Sequence, residues 1–292
     1  MMEVSVMYYG SIEAGGTKFV CAVGDSNFNI IERVNISTIT PEVTLAHVFE
    51  FFDKHELSAI GIGSFGPIDV NPASETYGYI TTTPKPHWGN YNFLGAVKNR
   101  YNIPIGWTTD VNAAALGEQG LGAAQGLSSC LYLTVGTGIG GGAVVNGELL
   151  SGYSHPEMGH ILVRPHPEDD FEGVCPFHGN CFEGLASGGA IEKRFDVKAD
   201  RLDKNHIAWK FEAHYIAQAV MSYALILSPE KVILGGGVMN QAHLFPMIRE
   251  ELKKLMVGYV ILPDLEDYIV APALGNDSAT IGCFMLANHS IK

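Results

Sequence analysis

Between Gly152 and Gly184 the chain gathers an unusual density of groups that bind metals and protons. Cys175 and Cys181 bracket His178, and His160 lies 15 residues before Cys175. Two thiols and two imidazoles at this spacing suit a tetrahedral Zn²⁺ site, with His160, Cys175, His178 and Cys181 as ligands. His155 and His166 are substitute ligands in the same His-rich segment, and the plainer reading is two unrelated thiols beside surface histidines. Four protein ligands leave no open position on the ion, so the zinc is expected to be structural. Glu157 and Glu183 would be ordinary solvated acids by themselves. Standing beside ligands on both sides of the clip, they become candidate acceptors for sugar hydroxyls.

Three glycine-rich loops offer a second chemistry. GSIEAGGTK, from Gly10, comes within one residue of a Walker A loop and misses, with Gly16 where the lysine belongs. GTGIGG, from Gly136, satisfies the dinucleotide fingerprint. Both patterns need a helix after the loop, because the helix N-terminus holds the phosphates. Here each loop runs into another strand, FVCAV or AVV, which rejects both a P-loop NTPase and a Rossmann domain. What remains is a pair of tight hairpin turns. Successive backbone N–H groups in such turns form an anion nest, and absent side chains admit a phosphate. Gly15, Gly16, Thr17 and Lys18 form one cradle, and Gly136, Thr137, Gly138 and Gly140 the other; Thr17 and Thr137 add hydroxyls, and Lys18 a charge. The third loop, Gly235, Gly236 and Gly237, ends a strand where α/β sheets bind ligands, and is assigned to adenosine.

Asp110 stands between a strand, IPIGWTT, and a helix, VNAAALGEQGLG. It is either an N-cap or a general base at the C-terminal edge of a sheet, and Asn112 could cap if Asp110 is committed elsewhere.

The elements that must hold these groups follow from periodicity and turn signals. The opening segment reads strand, glycine turn, strand, turn at Asp25–Asn27, strand. Pro41 opens a helix, SAIGIGSFGPIDV is a buried strand ending in a Gly-Pro loop, and NFLGAVKNRY is a short helix. From Cys130 the layout repeats, with Asn146-Gly147 as a hairpin signal, which implies two related α/β domains. One helical stretch is expected from Ala190 through Ile226. A further strand lies at KVILGG, followed by an amphipathic helix with Leu244, Ile248, Leu252 and Leu255 on one face. A last strand near Tyr268–Val270 precedes a terminal apolar helix.

Composition narrows the partners. The 292 residues are 47% apolar, enough for substantial cores. A net charge of −13 argues against nucleic acid and acidic membranes. The absence of a signal region or a span-length apolar run leads to the expectation of a cytoplasmic protein. In that reducing setting Cys21, Cys130 and Cys283 are expected to be core thiols.

Taken together, EAGGTKF, TDVNAAALGE, LTVGTGIGGG, the E-x-G-H of Glu157–His160, CPFHGNCFE and ILGGGV resemble the ROK sugar kinases, in their bacterial fructokinase branch. The resemblance extends over nearly the whole length and implies a duplicated actin-like, hexokinase-type ATPase fold, with two domains around a cleft. The expected boundaries are 1–119, joined by a returning C-terminal helix 276–292, and 120–275. It also implies ATP-dependent phosphorylation of a hexose, most simply D-fructose to fructose 6-phosphate, with Mg²⁺ and Asp110 as base. Glu157, His160 and Glu183 match sugar-contact positions, His160 doubling as zinc ligand, and the glycine loops match the phosphate and nucleotide loops. TTTPKPHW, with Thr83, Pro84, Lys85 and Trp88, resembles a stretch lining the sugar cleft. Thr109 replaces an Asn that often touches the sugar, and Glu13 replaces an Asp near Mg²⁺. A kinase for mannose, glucose or an N-acyl hexosamine is the first alternative, and a non-catalytic sugar sensor the second. The family is often dimeric, so a homodimer is expected. The family's repressors carry an N-terminal helix-turn-helix; with only a few residues before the first strand here, no DNA-binding module is expected.

Overall fold

A computed structural model describes residues 7–291. The chain divides into two compact units: residues up to Gln125 with Leu149–Pro156 and Asn276 onward, and Gly126–Glu148 with Glu157–Gly275.

The first unit opens with β1 (Tyr9–Ala14), β2 (Lys18–Gly24) and β3 (Ile30–Ser37), then α1 (Pro41–Phe52) and β4 (Ala59–Ser64). The short pair β5 (Tyr79–Ile80) and β6 (Tyr91–Asn92) leads to α2 (Phe93–Arg100), β7 (Ile105–Thr109) and α3 (Asp110–Leu121). In the second unit β8 (Cys130–Val135), β9 (Ile139–Val145) and β10 (Glu148–Leu149) precede α4 (Phe182–Ala186), α5 (Gly188–Phe195) and α6 (Ala208–Leu227). Then come β11 (Lys231–Gly235), α7 (Leu244–Met256), α8 (Leu265–Tyr268) and β12 (Ile269–Val270). Finally α9 (Ser278–Ile291) belongs to the first unit.

The two main sheets have the same plan, β3-β2-β1-β4-β7 and β10-β9-β8-β11-β12. In each, the hairpin partner is antiparallel and the two later strands run parallel to the first. This is the duplicated layout of the actin-like, hexokinase-type ATPases. Strand β4, AIGIGS, is buried at all six positions, as a parallel strand covered on both faces must be. One cover is α9, which packs on β1, β4 and β7 and along α3. Small residues permit this approach. A Cβ on Gly282 would lie 1.7 Å from the Ala113 carbonyl oxygen, and one on Gly61 would lie 1.8 Å from that of Cys283. Cys21, Cys130 and Cys283 are buried, as their apolar surroundings suggest.

Two local expectations are corrected. The helical stretch 190–226 is two helices, because Asp196 takes a left-handed conformation at φ 56° and ends α5; a loop with a single 3₁₀ turn intervenes before α6. The cap of α3 is Thr109, whose Oγ1 accepts the Asn112 N–H at 3.1 Å, while Asp110 is the first helical residue. Asn112 is buried, with its Nδ2 donating to Thr108. On α7 Leu244, Ile248 and Leu252 are buried and Leu255 is half-buried, and Phe245 and Met256 join the core.

Candidate functional site

In the first unit, register aligns Ala14, Ser64 and Thr109 across the parallel strands β1, β4 and β7. The loop after β1 and the first residue of α3 therefore leave the same sheet edge, two strand spacings or about 10 Å apart. Gly15, Gly16, Thr17 and Lys18 form the first loop. It is tied shut by Gly15 N–H to the Lys18 carbonyl at 3.0 Å and by Thr38, whose hydroxyl donates to the Gly15 carbonyl at 2.7 Å. A side chain on Gly15 would meet the Lys18 carbonyl oxygen at 2.8 Å, whereas Gly16 faces open space. Gly16, Thr17 and Lys18 are exposed.

Asp110 sits at the positive end of a 12-residue helix, where the peptide dipoles favour a carboxylate. One of its oxygens accepts the Val111 N–H at 2.9 Å. Gly63 on β4 clears the space it occupies, since a Cβ there would come within 3.2 Å of the Asp110 Cα. Thr109 is buried, and its oxygen is already an acceptor in the helix cap. Glu13, on β1, accepts a hydrogen bond from Thr280 of α9, and burial raises its carboxyl above the usual range. Thr83 Oγ1 accepts the Lys85 N–H at 3.3 Å, in a partly exposed turn. Trp88 departs from expectation. It is fully buried among Phe19, Phe65, Tyr91 and Phe93, with its indole N–H donated to the Ile39 carbonyl. It is core, with no face to offer a ligand.

In the second unit, register sets Thr134 beside Gly235, so the Gly136–Gly140 and Gly235–Gly237 loops emerge side by side. Gly236 has to be glycine twice over: its φ is +90°, and a Cβ would lie 2.5 Å from the Val135 carbonyl oxygen. The tips Thr137 and Gly237 are exposed. Both loops continue without the helix that a P-loop or Rossmann site requires: Gly138 leads straight into β9, and Gly237 into a single 3₁₀ turn.

The four metal-ligand candidates converge. Ligand atoms of His160, Cys175, His178 and Cys181 all lie within 4.8 Å of one another. His160 Nδ1 is 3.7 Å from Cys175 Sγ and 3.5 Å from Cys181 Sγ, and His178 Nδ1 is 3.7 Å from Cys175 Sγ. Ordinary Zn–S and Zn–N bond lengths in a tetrahedron put sulfur and nitrogen about 3.6 Å apart, so the set fits a four-coordinate ion. The segment is braced for it: Cys175 and Gly179 exchange backbone hydrogen bonds, and Leu162 bridges Cys181. Burial pushes the Cys181 thiol up to about 11, with Cys175 adding to the effect; a divalent cation supplies the charge that stabilises the thiolates. The substitutes drop out. His155 Nε2 accepts the Ile68 N–H, and His166 Nδ1 accepts the Glu168 N–H.

The clip lies beside the neighbouring acids. His160 turns Nδ1 to the thiols and Nε2 toward Glu183, 4.0 Å away. Glu157 is exposed and begins the 3₁₀ turn Met158–His160. The glycine of E-x-G-H has a steric reason, because a Cβ on Gly159 would lie 1.9 Å from the Ile139 carbonyl oxygen. Tyr223 of α6 holds the same turn by donating to the Met158 carbonyl. Sequence reasoning passed over Tyr223. It also passed over Ser187-Gly188-Gly189, where Gly188 N–H donates to the Gly136 carbonyl at 2.7 Å; the Gly-Gly pair was the available signal.

The model of the ROK family matches residues 9–290. The chain is 53% identical to the "Putative fructokinase" of Bacillus subtilis (strain 168) over 287 residues, covering 97% of this chain and 96% of that protein. It is 47% identical to the fructokinase of Pediococcus pentosaceus, covering 98% and 99%. Among solved structures, a ROK family glucokinase from Streptomyces griseus in complex with glucose and AMPPNP superposes with a TM-score of 0.76 at 25% identity, covering 98% and 100%.

Proposed function

The chain belongs to the ROK family, and we propose that it is a fructokinase, transferring the γ-phosphoryl group of ATP to the 6-hydroxyl of D-fructose. The observation that carries the reading is full-length identity of about half to proteins named fructokinases. Support at residue level comes from a carboxylate at the positive end of α3, glycine cradles ending β1, β8 and β11, and a four-ligand clip flanked by acids.

In this reading Asp110 accepts the proton of the attacking hydroxyl, and the dipole of α3 keeps it ionised until then. Glu157, His160 and Glu183 accept and donate hydrogen bonds at the sugar, while Thr83, Lys85 and Thr109 line its surroundings; Thr109 keeps its O–H as a donor. The Gly15–Lys18 and Gly136–Gly140 turns, closed by the Gly15 and Gly136 N–H groups, direct the backbone N–H groups of their tips, with Lys18, at the phosphates, and Gly235–Gly237 let adenosine lie against bare backbone. Mg²⁺, when bound with ATP, neutralises charge on the phosphates. Zn²⁺ is the ion that suits two thiolates and two imidazoles; His160, Cys175, His178 and Cys181 would hold it, and its part is to fix the orientation of His160. A homodimer is the expected assembly, supported by Val257, Tyr259 and Ile261, which are left 85%, 86% and 96% exposed after α7; sedimentation tests it.

A coupled ADP-release assay over a hexose panel decides the function. Fructose is expected to give the highest kcat/KM. Preference for mannose, glucose or an N-acyl hexosamine would keep the kinase and remove fructose. No sugar-stimulated release at all would remove the enzyme and leave a sugar sensor.

A further inference from the structure

Ile139 is where the sugar-side acids and the second phosphate loop meet. Its N–H donates to Glu183 Oε2 at 2.9 Å, and its carbonyl lies under Gly159 of the E-x-G-H turn. At the other limb of the same turn, the Gly136 carbonyl accepts the Gly188 N–H at 2.7 Å. Both limbs of Gly136–Ile139 are thus anchored on the short segment from Cys181 to Gly188, which begins at a metal ligand. The fit leaves no room to spare. A Cβ on Gly138 would meet Glu183 Oε2 at 2.7 Å, and one on Gly188 would meet the Gly136 carbonyl oxygen at 2.9 Å. The other carboxylate oxygen, Oε1, points to His160 Nε2 at 4.0 Å.

We propose that Glu183 is a positioning residue for the nucleotide as well as a sugar ligand: Oε2 fixes the Gly136–Ile139 turn while Oε1 remains for the sugar, so the metal clip and the bound sugar together set the phosphate loop. The proposal rests on the kinase reading of this site. A hydrogen bond to a charged acceptor is among the stronger ones a loop can have. A sugar hydroxyl on Oε1 would restrain the same carboxylate. The nucleotide then meets a turn that is already ordered, and by reciprocity each ligand tightens the other.

The test is calorimetric titration of a non-hydrolysable ATP analogue into the full, metal-loaded chain, with and without fructose. The wild type is compared with Gly138→Ala and Glu183→Gln, with metal content measured for each and the exchange rate of the Ile139 amide followed. In the wild type, fructose is expected to tighten the analogue about fivefold. Gly138→Ala displaces Oε2 while leaving the ligands in place. It is expected to keep its metal, weaken the analogue about tenfold, abolish the fructose effect and speed exchange at Ile139. A merely structural defect would instead cost metal and weaken both substrates alike, and that pattern overturns the proposal. So does unchanged analogue affinity in Gly138→Ala. If that variant does not fold, Glu183→Gln carries the test: its amide oxygen still accepts from Ile139 but without the charge, so a smaller weakening of the analogue with metal retained is expected, and unchanged affinity overturns the proposal. An Ile139 amide already unprotected in the ligand-free wild type overturns the proposal without any variant. A wild type that releases no ADP with any hexose defeats the kinase reading instead, whereas normal turnover with no fructose effect on the analogue defeats this inference alone.

Discussion

Asp110 and Glu183 are both carboxylates in the first turn of a helix, yet their neighbours give them different work. Asp110 bonds its own helix at Val111, and Asp110→Asn should preserve fructose binding, since an amide still accepts there, while lowering kcat by about 10²-fold or more; near-normal turnover would remove it as the base. The two histidines of the clip divide in the same way. His178 is exposed and turns Nδ1 to Cys175, while His160 serves the thiols with Nδ1 and faces Glu183 with Nε2. Loss of either ligand should drop metal content, read by elemental analysis. His160→Ala should raise the fructose KM at least about tenfold more than His178→Ala, because His160 also faces the proposed sugar ligand Glu183. Equal effects would mean that the clip acts as a unit.

Among the elements, α6 carries the least expected group. Glu212 is fully buried, and among the described residues neither of its carboxylate oxygens has a hydrogen-bond partner. Burial pushes its carboxyl well above the usual range, against a smaller opposing pull from Arg194. The folded chain therefore holds a proton that the unfolded chain releases. Its stabilising share is fully present below the unfolded carboxylate pKa of about 4.3 and is lost as pH rises from there through the folded value. Glu212→Gln removes that dependence. Melting temperatures of variant and wild type should agree near about pH 4 and separate, with the variant higher, toward about pH 8. A difference constant with pH would contradict the assignment.

At the scale of the molecule, the duplicated plan was legible because each unit opens with a glycine hairpin between apolar strands, and a tight turn is a local signal. The four ligands were legible for a similar reason, since three of them fall within Cys175–Cys181. Other features lay outside that reach. The break at Asp196 uses a left-handed residue that is not glycine. Trp88 has the composition of a binding aromatic and the surroundings of a core one. The bond from Ile139 to Glu183 joins residues 44 apart, and no window of sequence contains both. Long-range closure matters most for α9, which is separated by the whole second unit from the strands it covers. A chain cut after Gly275 should leave the second unit protected in proteolysis and the first exposed, since β4 would lose the partner of Gly61; resistance of both units would show that α9 is dispensable.

The return of α9 also has a temporal meaning. During synthesis the strands β1, β4 and β7 emerge first, but the helix that seals their face is made after every element of the second unit. The earlier-made half is therefore the later one to finish, and its sheet must wait, open to chaperones and to wrong partners, while the later-made half can close on arrival.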